Sequence, residues 1–177
     1  KMADYKIECC QKVFENYGRV DGILYHDDWG TQRAGFFSNE MFREQIMPST
    51  SRFLKYVKEQ GKFIELHSCG KNIQYVPEMI EMGIDMWTPQ AVINDPDFLY
   101  ETYGDQMTFC FNVEIDPTDS EQEIRRKMRD FVDHFGAKGR CMPWIRTDRT
   151  IPEQEIIARE ELYHYSLEYY NKRYNRT

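Results

Sequence analysis

The segment Lys62-Phe-Ile-Glu-Leu-His-Ser-Cys-Gly70 joins a short apolar strand pattern to a polar turn. Residues 62–66 are predicted as a strand, and Gly70 permits a tight turn into a helix that ends near Gly83. The same order of strand, polar turn and helix recurs along the rest of the chain. Alternation of this kind predicts a parallel sheet covered by helices.

Five strands are predicted, and helices fall between and around them. The strands are residues 20–25, 62–66, 84–87, 106–111 and 141–145. The helices are residues 3–16, 39–60 with an N-cap at Ser38 and an interruption near Pro48, the segment ending near Gly83, residues 96–103, one that starts at a capping box of Ser120 and Glu123, and a last one capped by Thr150 and Glu153.

This pattern predicts the α/β class. A complete (β/α)8 TIM-type barrel needs eight units and about 250 residues, whereas this chain has five units and opens at a helix. We therefore expect residues 1–177 to be the C-terminal portion of a single barrel domain, made of about five βα units. A complete open α/β sheet is the alternative.

Composition narrows the class of protein. The 177 residues are 41% hydrophobic and 15% aromatic, which is enough for a folded core, and the net charge is -7. The acidic balance argues against nucleic acid or an anionic membrane surface as a partner. No apolar run approaches the ~20 residues of a membrane span, and no leader pattern is seen. We expect a cytoplasmic protein whose five cysteines are reduced thiols.

Polar side chains follow four consecutive predicted strands. They are His26, Asp27, Asp28 and Gln32 after the first strand, His67 and Cys69 after the second, Gln90 after the third and Asn112 after the fourth. The carboxyl ends of parallel strands converge on one face of such a fold. This series therefore predicts a functional site there.

The adjacent carboxylates Asp27 and Asp28 have two interpretations. One carboxylate could bind substrate or act as acid or base, helped by mutual repulsion that raises one pKa. Alternatively, they cap the turn and face water.

The sharper signal is His67-Ser68-Cys69. Residues i and i+2 at a strand end point the same way, so the imidazole and the thiolate could bind one metal ion. Zinc accepts such a mixed nitrogen and sulfur donor set. The alternative is a core histidine beside an inert thiol.

Five short motifs together resemble the uroporphyrinogen decarboxylase superfamily, and within it the branch of cobalamin-dependent methyltransferases. They are Tyr25-His-Asp-Asp-Trp-Gly-Thr-Gln32, Glu40-Met-Phe-Arg-Glu-Gln-Ile-Met-Pro48, His67-Ser-Cys-Gly70, Gly83-Ile-Asp-Met-Trp-Thr-Pro-Gln90 and Tyr103-Gly-Asp105. They occur in the family's order over most of residues 1–165.

The resemblance implies a (β/α)8 barrel whose N-terminal strands are absent here. His67 and Cys69 match the His-x-Cys element that supplies two zinc ligands in the methyltransferase branch. The arginine-rich motif of true decarboxylases lies in a region that this chain does not contain. The resemblance thus implies transfer of a methyl group between a small methylated substrate or thiol and a corrinoid carried by a partner protein, with zinc assistance.

Site roles follow from that resemblance. Asp27, Asp28 and His67 are the candidate catalytic residues. Substrate would be bound by His26, Gln32, Gln90 and Asn112.

The third zinc ligand of the branch is a cysteine after a later strand. Aligned on the family pattern, Cys141 lies about four residues early, within its strand, which is roughly 13 Å short of the rim. We therefore expect Cys141 to pack in the core. A carboxylate of Asp27, Asp28 or Glu65 would then complete the site, or no metal is tightly bound.

Two other functions stay open. One is decarboxylation of a porphyrinogen or similar polycarboxylate, as in porphyrin biosynthesis. The other is a non-catalytic barrel that only binds a partner. An open sheet edge would also favour a homo-oligomer.

Overall fold

The computed structural model describes residues 1–174, and the chain divides into two compact units after Phe109. The first unit contains α1 (Met2–Asn16), β1 (Gly22–His26), α2 (Asn39–Met41), α3 (Met47–Glu59), β2 (Phe63–Ser68), α4 (Val76–Glu81), β3 (Met86–Pro89) and α5 (Pro96–Tyr103). The second contains α6 (Glu121–Phe135), β5 (Cys141–Arg146) and α7 (Pro152–Arg173), and β4 (Thr108–Glu114) begins in the first unit and ends in the second.

The strands of the first unit pair in parallel. β1 lies beside β2 with Gly22 opposite Phe63 and His26 opposite His67. β2 lies beside β3, whose Trp87 is in turn opposite Phe109 at the start of β4. The predicted alternation of parallel strands with helices is therefore confirmed.

The two faces of this sheet differ. Ile64 and Leu66 of β2 are fully buried, whereas Leu24 of β1 and Phe63 of β2 are exposed. Successive side chains of a strand point to opposite faces, so one face packs against helices while the other stays open.

The helix predicted over residues 39–60 is interrupted, as expected. The hydroxyl of Ser38 accepts a hydrogen bond from the amide of Met41 (3.1 Å) and caps the start. Residues Phe42–Ile46 form a π-helical turn, and α3 then begins with Pro48 in its first turn. Proline has no N–H to donate to a carbonyl of the preceding turn, and the wider π-helical turn lies directly before it.

An aromatic stack holds the loop after β1. The buried Trp29 contacts Phe42 edge to face (4.9 Å between ring centres), and Phe42 stacks on Tyr75 (4.3 Å). The Tyr75 hydroxyl donates to the carbonyl of Phe37 (2.5 Å), which fastens the far end of the same loop.

The second unit has its own apolar core, which is formed by Ile115, Ile124, Met128 and Ala158. The capping box of Ser120 and Glu123 is confirmed. The predicted cap of Thr150 and Glu153 is wrong, because Ile151 occupies the N-cap position of α7. The hydroxyl of Thr150 instead donates to Asp148 (2.7 Å), a local turn that competes with helix capping.

Over residues 1–174, none of the helices combines the length and the apolar character that crossing a bilayer requires.

Candidate functional site

Two histidines lie side by side at the carboxyl ends of β1 and β2. His26 is the last residue of β1, and its backbone is paired with His67 of β2. Both side chains therefore point to the same face of the sheet, and their ring centres are 4.5 Å apart. The predicted strand boundary after Tyr25 was one residue short, so His26 belongs to the strand and not to the loop.

His67 and Cys69 are brought together as predicted. The Nε2 atom of His67 lies 3.4 Å from the Sγ atom of Cys69. Burial lowers the pKa of His67, and the nearby His26 lowers it further. Burial also raises the pKa of the Cys69 thiol, and the negative charge of Asp28 adds to this effect. The pair therefore favours a neutral imidazole beside a thiol when no metal is bound.

Asp28 connects the two strand ends. Its Oδ1 atom accepts a hydrogen bond from the backbone amide of Cys69 (2.8 Å). This bond is the main cause that lowers the pKa of Asp28, so the carboxylate is charged at neutral pH. One ring nitrogen of His26, one of His67 and a carboxylate oxygen of Asp28 all lie within 4.8 Å of one another.

Asp27 has a different environment. Its Oδ2 atom accepts a hydrogen bond from the Tyr25 hydroxyl (2.6 Å), which also accepts one from Lys6 (3.1 Å). Burial raises the pKa of Tyr25, and the hydrogen bond to Asp27 adds to it. The two adjacent carboxylates thus have separate partners, and Asp28 is the one beside the histidines.

Gln32 and Gln90 meet at the turn that follows β2. The side-chain oxygen of Gln90 accepts hydrogen bonds from the amide of Gly70 (2.8 Å) and from the Gln32 side chain (3.0 Å). Gly70 itself has φ +95°, and a Cβ atom there would lie 2.2 Å from the carbonyl carbon of Gly30. Only glycine fits this turn, as the sequence suggested.

A buried polar network that the sequence did not predict lies under the turn. Ser68, Asn72 and Asn94 are fully buried. Ser68 Oγ accepts hydrogen bonds from the amide of Trp29 (3.1 Å) and from the Asn72 side chain (2.8 Å). Asn94 donates to the carbonyls of Gly70 and Gln90 (2.9 Å each).

Asn94 also accepts hydrogen bonds. Its side-chain oxygen receives those of the backbone amides of Asn72 (2.8 Å) and Ile73 (3.0 Å). The one sequence signal for this network is an asparagine within the apolar run Ala91-Val-Ile-Asn94.

The remaining predicted site residues belong to other surroundings. Glu65 accepts a hydrogen bond from the Thr88 hydroxyl (2.8 Å). Asn112 does not follow its strand but lies within β4, because Val113 packs on the core of the second unit and extends the strand to Glu114. Cys141 is the first residue of β5, where burial raises the pKa of its thiol. Its predicted place within the strand is confirmed.

Zinc would fit the donor atoms at this site. Bonds of 2.0–2.3 Å at the tetrahedral angle put nitrogen and sulfur ligands about 3.6 Å apart, close to the 3.4 Å between His67 and Cys69. The residue types also suit zinc, since imidazole, thiolate and carboxylate are its usual protein ligands.

Comparisons with known proteins agree with the fold. A methyltransferase from Methanosarcina mazei matches with a TM-score of 0.65 and 17% sequence identity. The match covers 95% of this chain and 47% of the methyltransferase, so this chain spans about half the length of that structure. The likeness supports a partial TIM-barrel-type fold. A search of curated proteins found no match.

The family follows from the sequence itself. The model of the family described as uroporphyrinogen decarboxylase (URO-D) matches residues 1–141, a segment that includes both strand ends of the candidate site. The chain therefore belongs to the uroporphyrinogen decarboxylase family.

Proposed function

We propose that this chain is the C-terminal portion of a barrel methyltransferase. It would move a methyl group between a small methylated substrate or thiol and a corrinoid carried by a partner protein. The observation that carries the proposal is the 3.4 Å approach of His67 Nε2 to Cys69 Sγ at the carboxyl end of β2. Family membership and the fold shared with a methyltransferase support it further.

A metal would be held by His67 and Cys69. When bound there, zinc would favour the thiolate form of a methyl acceptor or polarise the heteroatom of a methyl donor. Asp28 would fix the Cys69 amide and add negative charge beside the reacting groups. Asp27 remains a candidate for managing protons through its hydrogen bond with Tyr25.

Gln32 and Gln90 would bind substrate at the same edge. The Gln90 side-chain oxygen accepts hydrogen bonds from the Gly70 amide and the Gln32 side chain. The Gln90 amide nitrogen and the Gln32 oxygen would then contact the polar part of a small substrate. His26, whose ring lies beside that of His67, and Asn112 stay predicted substrate-binding residues.

The test is methyl transfer measured with the whole protein. Demethylation of methylcobalamin by small thiols, and methylation of reduced cobalamin by methylated small molecules, can both be followed by absorbance. We expect turnover that His67→Ala and Cys69→Ala each abolish. Cys9→Ala removes an exposed thiol of α1 and serves as the matched control. Full activity in both site variants would reject the proposal.

A second candidate is decarboxylation of a porphyrinogen-like polycarboxylate. The family match and the adjacent carboxylates of Asp27 and Asp28 favour it. Incubation with uroporphyrinogen followed by product analysis separates the two functions. Released carbon dioxide with no methyl transfer would favour decarboxylation.

The third candidate is a barrel that binds a corrinoid protein without catalysis. The position of Cys141 at the start of β5, and not after a strand, supports it. Stable binding of a corrinoid protein with no turnover in either assay would favour this function.

A further inference from the structure

We propose that the metal site begun by the His67-Ser-Cys69 turn is completed by His26 and Asp28. The ligands would thus come from two neighbouring strand ends, with Cys141 taking no part. The inference rests on the proposed function for the use of the metal, and it adds which side chains hold it.

The register of the sheet brings the first pair together. His26 and His67 are directly opposite in the parallel ladder of β1 and β2, and their rings are 4.5 Å apart. A ladder fixes both backbones, so this proximity does not depend on a flexible loop. The second histidine is therefore already in place beside the first.

The carboxylate joins the same group of atoms. Ligand atoms of Asp28, His26 and His67 lie within 4.8 Å of one another. Cys69 is not in that group, and its Sγ atom lies 3.4 Å from His67 Nε2. Tetrahedral zinc ligands are about 3.3–3.7 Å apart, so side-chain rotations would have to bring the four ligand atoms around one ion. His26 and Asp28 are exposed and His67 and Cys69 are half-buried, so neighbouring atoms leave these side chains room to rotate.

The hydrogen bonds of Asp27 and Asp28 favour Asp28 as the metal ligand. Its Oδ1 atom accepts a hydrogen bond from the Cys69 amide (2.8 Å), and its carboxylate also has a hydrogen bond with the Cys69 thiol. The Asp27 carboxylate is bonded to the Tyr25 hydroxyl instead. Of the two adjacent carboxylates, only Asp28 contacts the turn that carries Cys69.

The resulting set has two imidazole nitrogens, one carboxylate oxygen and one thiolate sulfur. The carboxylate and the thiolate together neutralise a divalent cation, which lowers the cost of holding the ion away from bulk water. Zinc accepts all three donor types in tetrahedral geometry and can expand to five ligands when a substrate binds.

The test measures metal binding and not turnover. The whole protein is stripped with a chelator under reducing conditions and titrated with Zn²⁺ against a chromogenic competitor, and separately with Co²⁺. The variants are His26→Gln, Asp28→Asn and Cys69→Ser. Asp27→Asn is the matched control, since it makes the same change one residue away.

Loss of a residue that hydrogen-bonds a metal ligand typically weakens metal binding by about 10–100-fold. Loss of a direct ligand should weaken binding at least as much. We expect His26→Gln and Asp28→Asn to weaken Zn²⁺ binding by about 100-fold, and Asp27→Asn to leave it unchanged. Cobalt in the first two variants should keep its thiolate charge-transfer band. Cys69→Ser should lose that band.

Wild-type affinity in both His26→Gln and Asp28→Asn would overturn the proposal. His26 and Asp28 are exposed, so circular dichroism should show that the variants fold. Failure of methyl transfer by a protein that binds zinc in this way would instead reject the proposed function and leave the ligand set standing.

Discussion

Replacing Asn94 by alanine should destabilise the protein through the turn that carries the candidate site. The Asn94 side chain is fully buried and makes four hydrogen bonds with backbone groups. Its oxygen accepts from the amides of Asn72 and Ile73, and its nitrogen donates to the carbonyls of Gly70 and Gln90. Alanine removes all four bonds and leaves the four backbone groups in the interior.

The size of the effect follows from those four groups. An unsatisfied buried backbone group costs about 1–3 kcal/mol, and partial relaxation places the loss near the lower value. The free energy of unfolding should therefore fall by about 4 kcal/mol. In a chain of this length, that corresponds to a Tm about 8–16 °C lower.

Urea denaturation followed by circular dichroism measures the change. Asn39→Ala is the matched control, since the exposed Asn39 donates one hydrogen bond, to the carbonyl of Gln74 (3.0 Å). We expect a loss below about 0.5 kcal/mol for the control. Equal losses in both variants would refute the claim that the buried network fastens the turn.

Three further outcomes are expected. Gly70→Ala should lower the free energy of unfolding by about 3 kcal/mol or more, because the new Cβ atom would meet the backbone of Gly30. Gly61→Ala is the control, since Gly61 also has positive φ but has open space around it, and its Tm should fall less. Equal shifts in the two Tm values would contradict this. Hydrogen bonds from Arg129 chiefly, and from Arg125, lower the pKa of Glu161. The charged Glu161 carboxylate therefore stabilises the fold above its ordinary pKa near 4.5, and this stabilisation is lost as the pH falls through the lowered pKa. Unfolding measured from pH 6 to pH 3 should therefore show a shallower loss of stability in Glu161→Gln than in the exposed-site control Glu160→Gln, and identical slopes would argue against the Arg pairing. Chelator treatment should lower the Tm of the wild-type protein and leave that of Cys69→Ala unchanged, because only a bound metal stabilises the native state by mass action; a shift of equal size in both would mean that the metal lies elsewhere.

The sequence predicted the order of strands and helices because hydrophobic periodicity is local. Residues 62–66 read as an apolar strand, and the observed β2 runs from Phe63 to Ser68. The errors in the predicted strands are at their ends, where tertiary contacts decide the boundary. His26 and Ser68 join their strands through ladder pairing, and Asn112 stays inside β4 because Val113 packs on a core.

The candidate site was only partly predictable. The spacing of His67 and Cys69 placed both side chains on one side, and the structure brings their ligand atoms to 3.4 Å. The proximity of His26 and His67 depends on the register between strands 41 residues apart, which local patterns do not specify. The different partners of Asp27 and Asp28 likewise depend on Tyr25 and Cys69.

Buried asparagines are equally hard to find from sequence. Asn72 and Asn94 resemble ordinary turn residues until the fold shows which backbone groups they satisfy. Their role is set by the carbonyls and amides of the Gly70 turn.

The zinc content of the protein tests most directly whether the two strand ends form a metal site. It is measured by elemental analysis of the whole protein and of its Cys69→Ala variant, both purified under reducing conditions. The proposed site predicts one zinc ion per wild-type chain and its loss from the variant. Zinc in neither protein would contradict the account, and His67 and Cys69 would then be structural or substrate-binding residues.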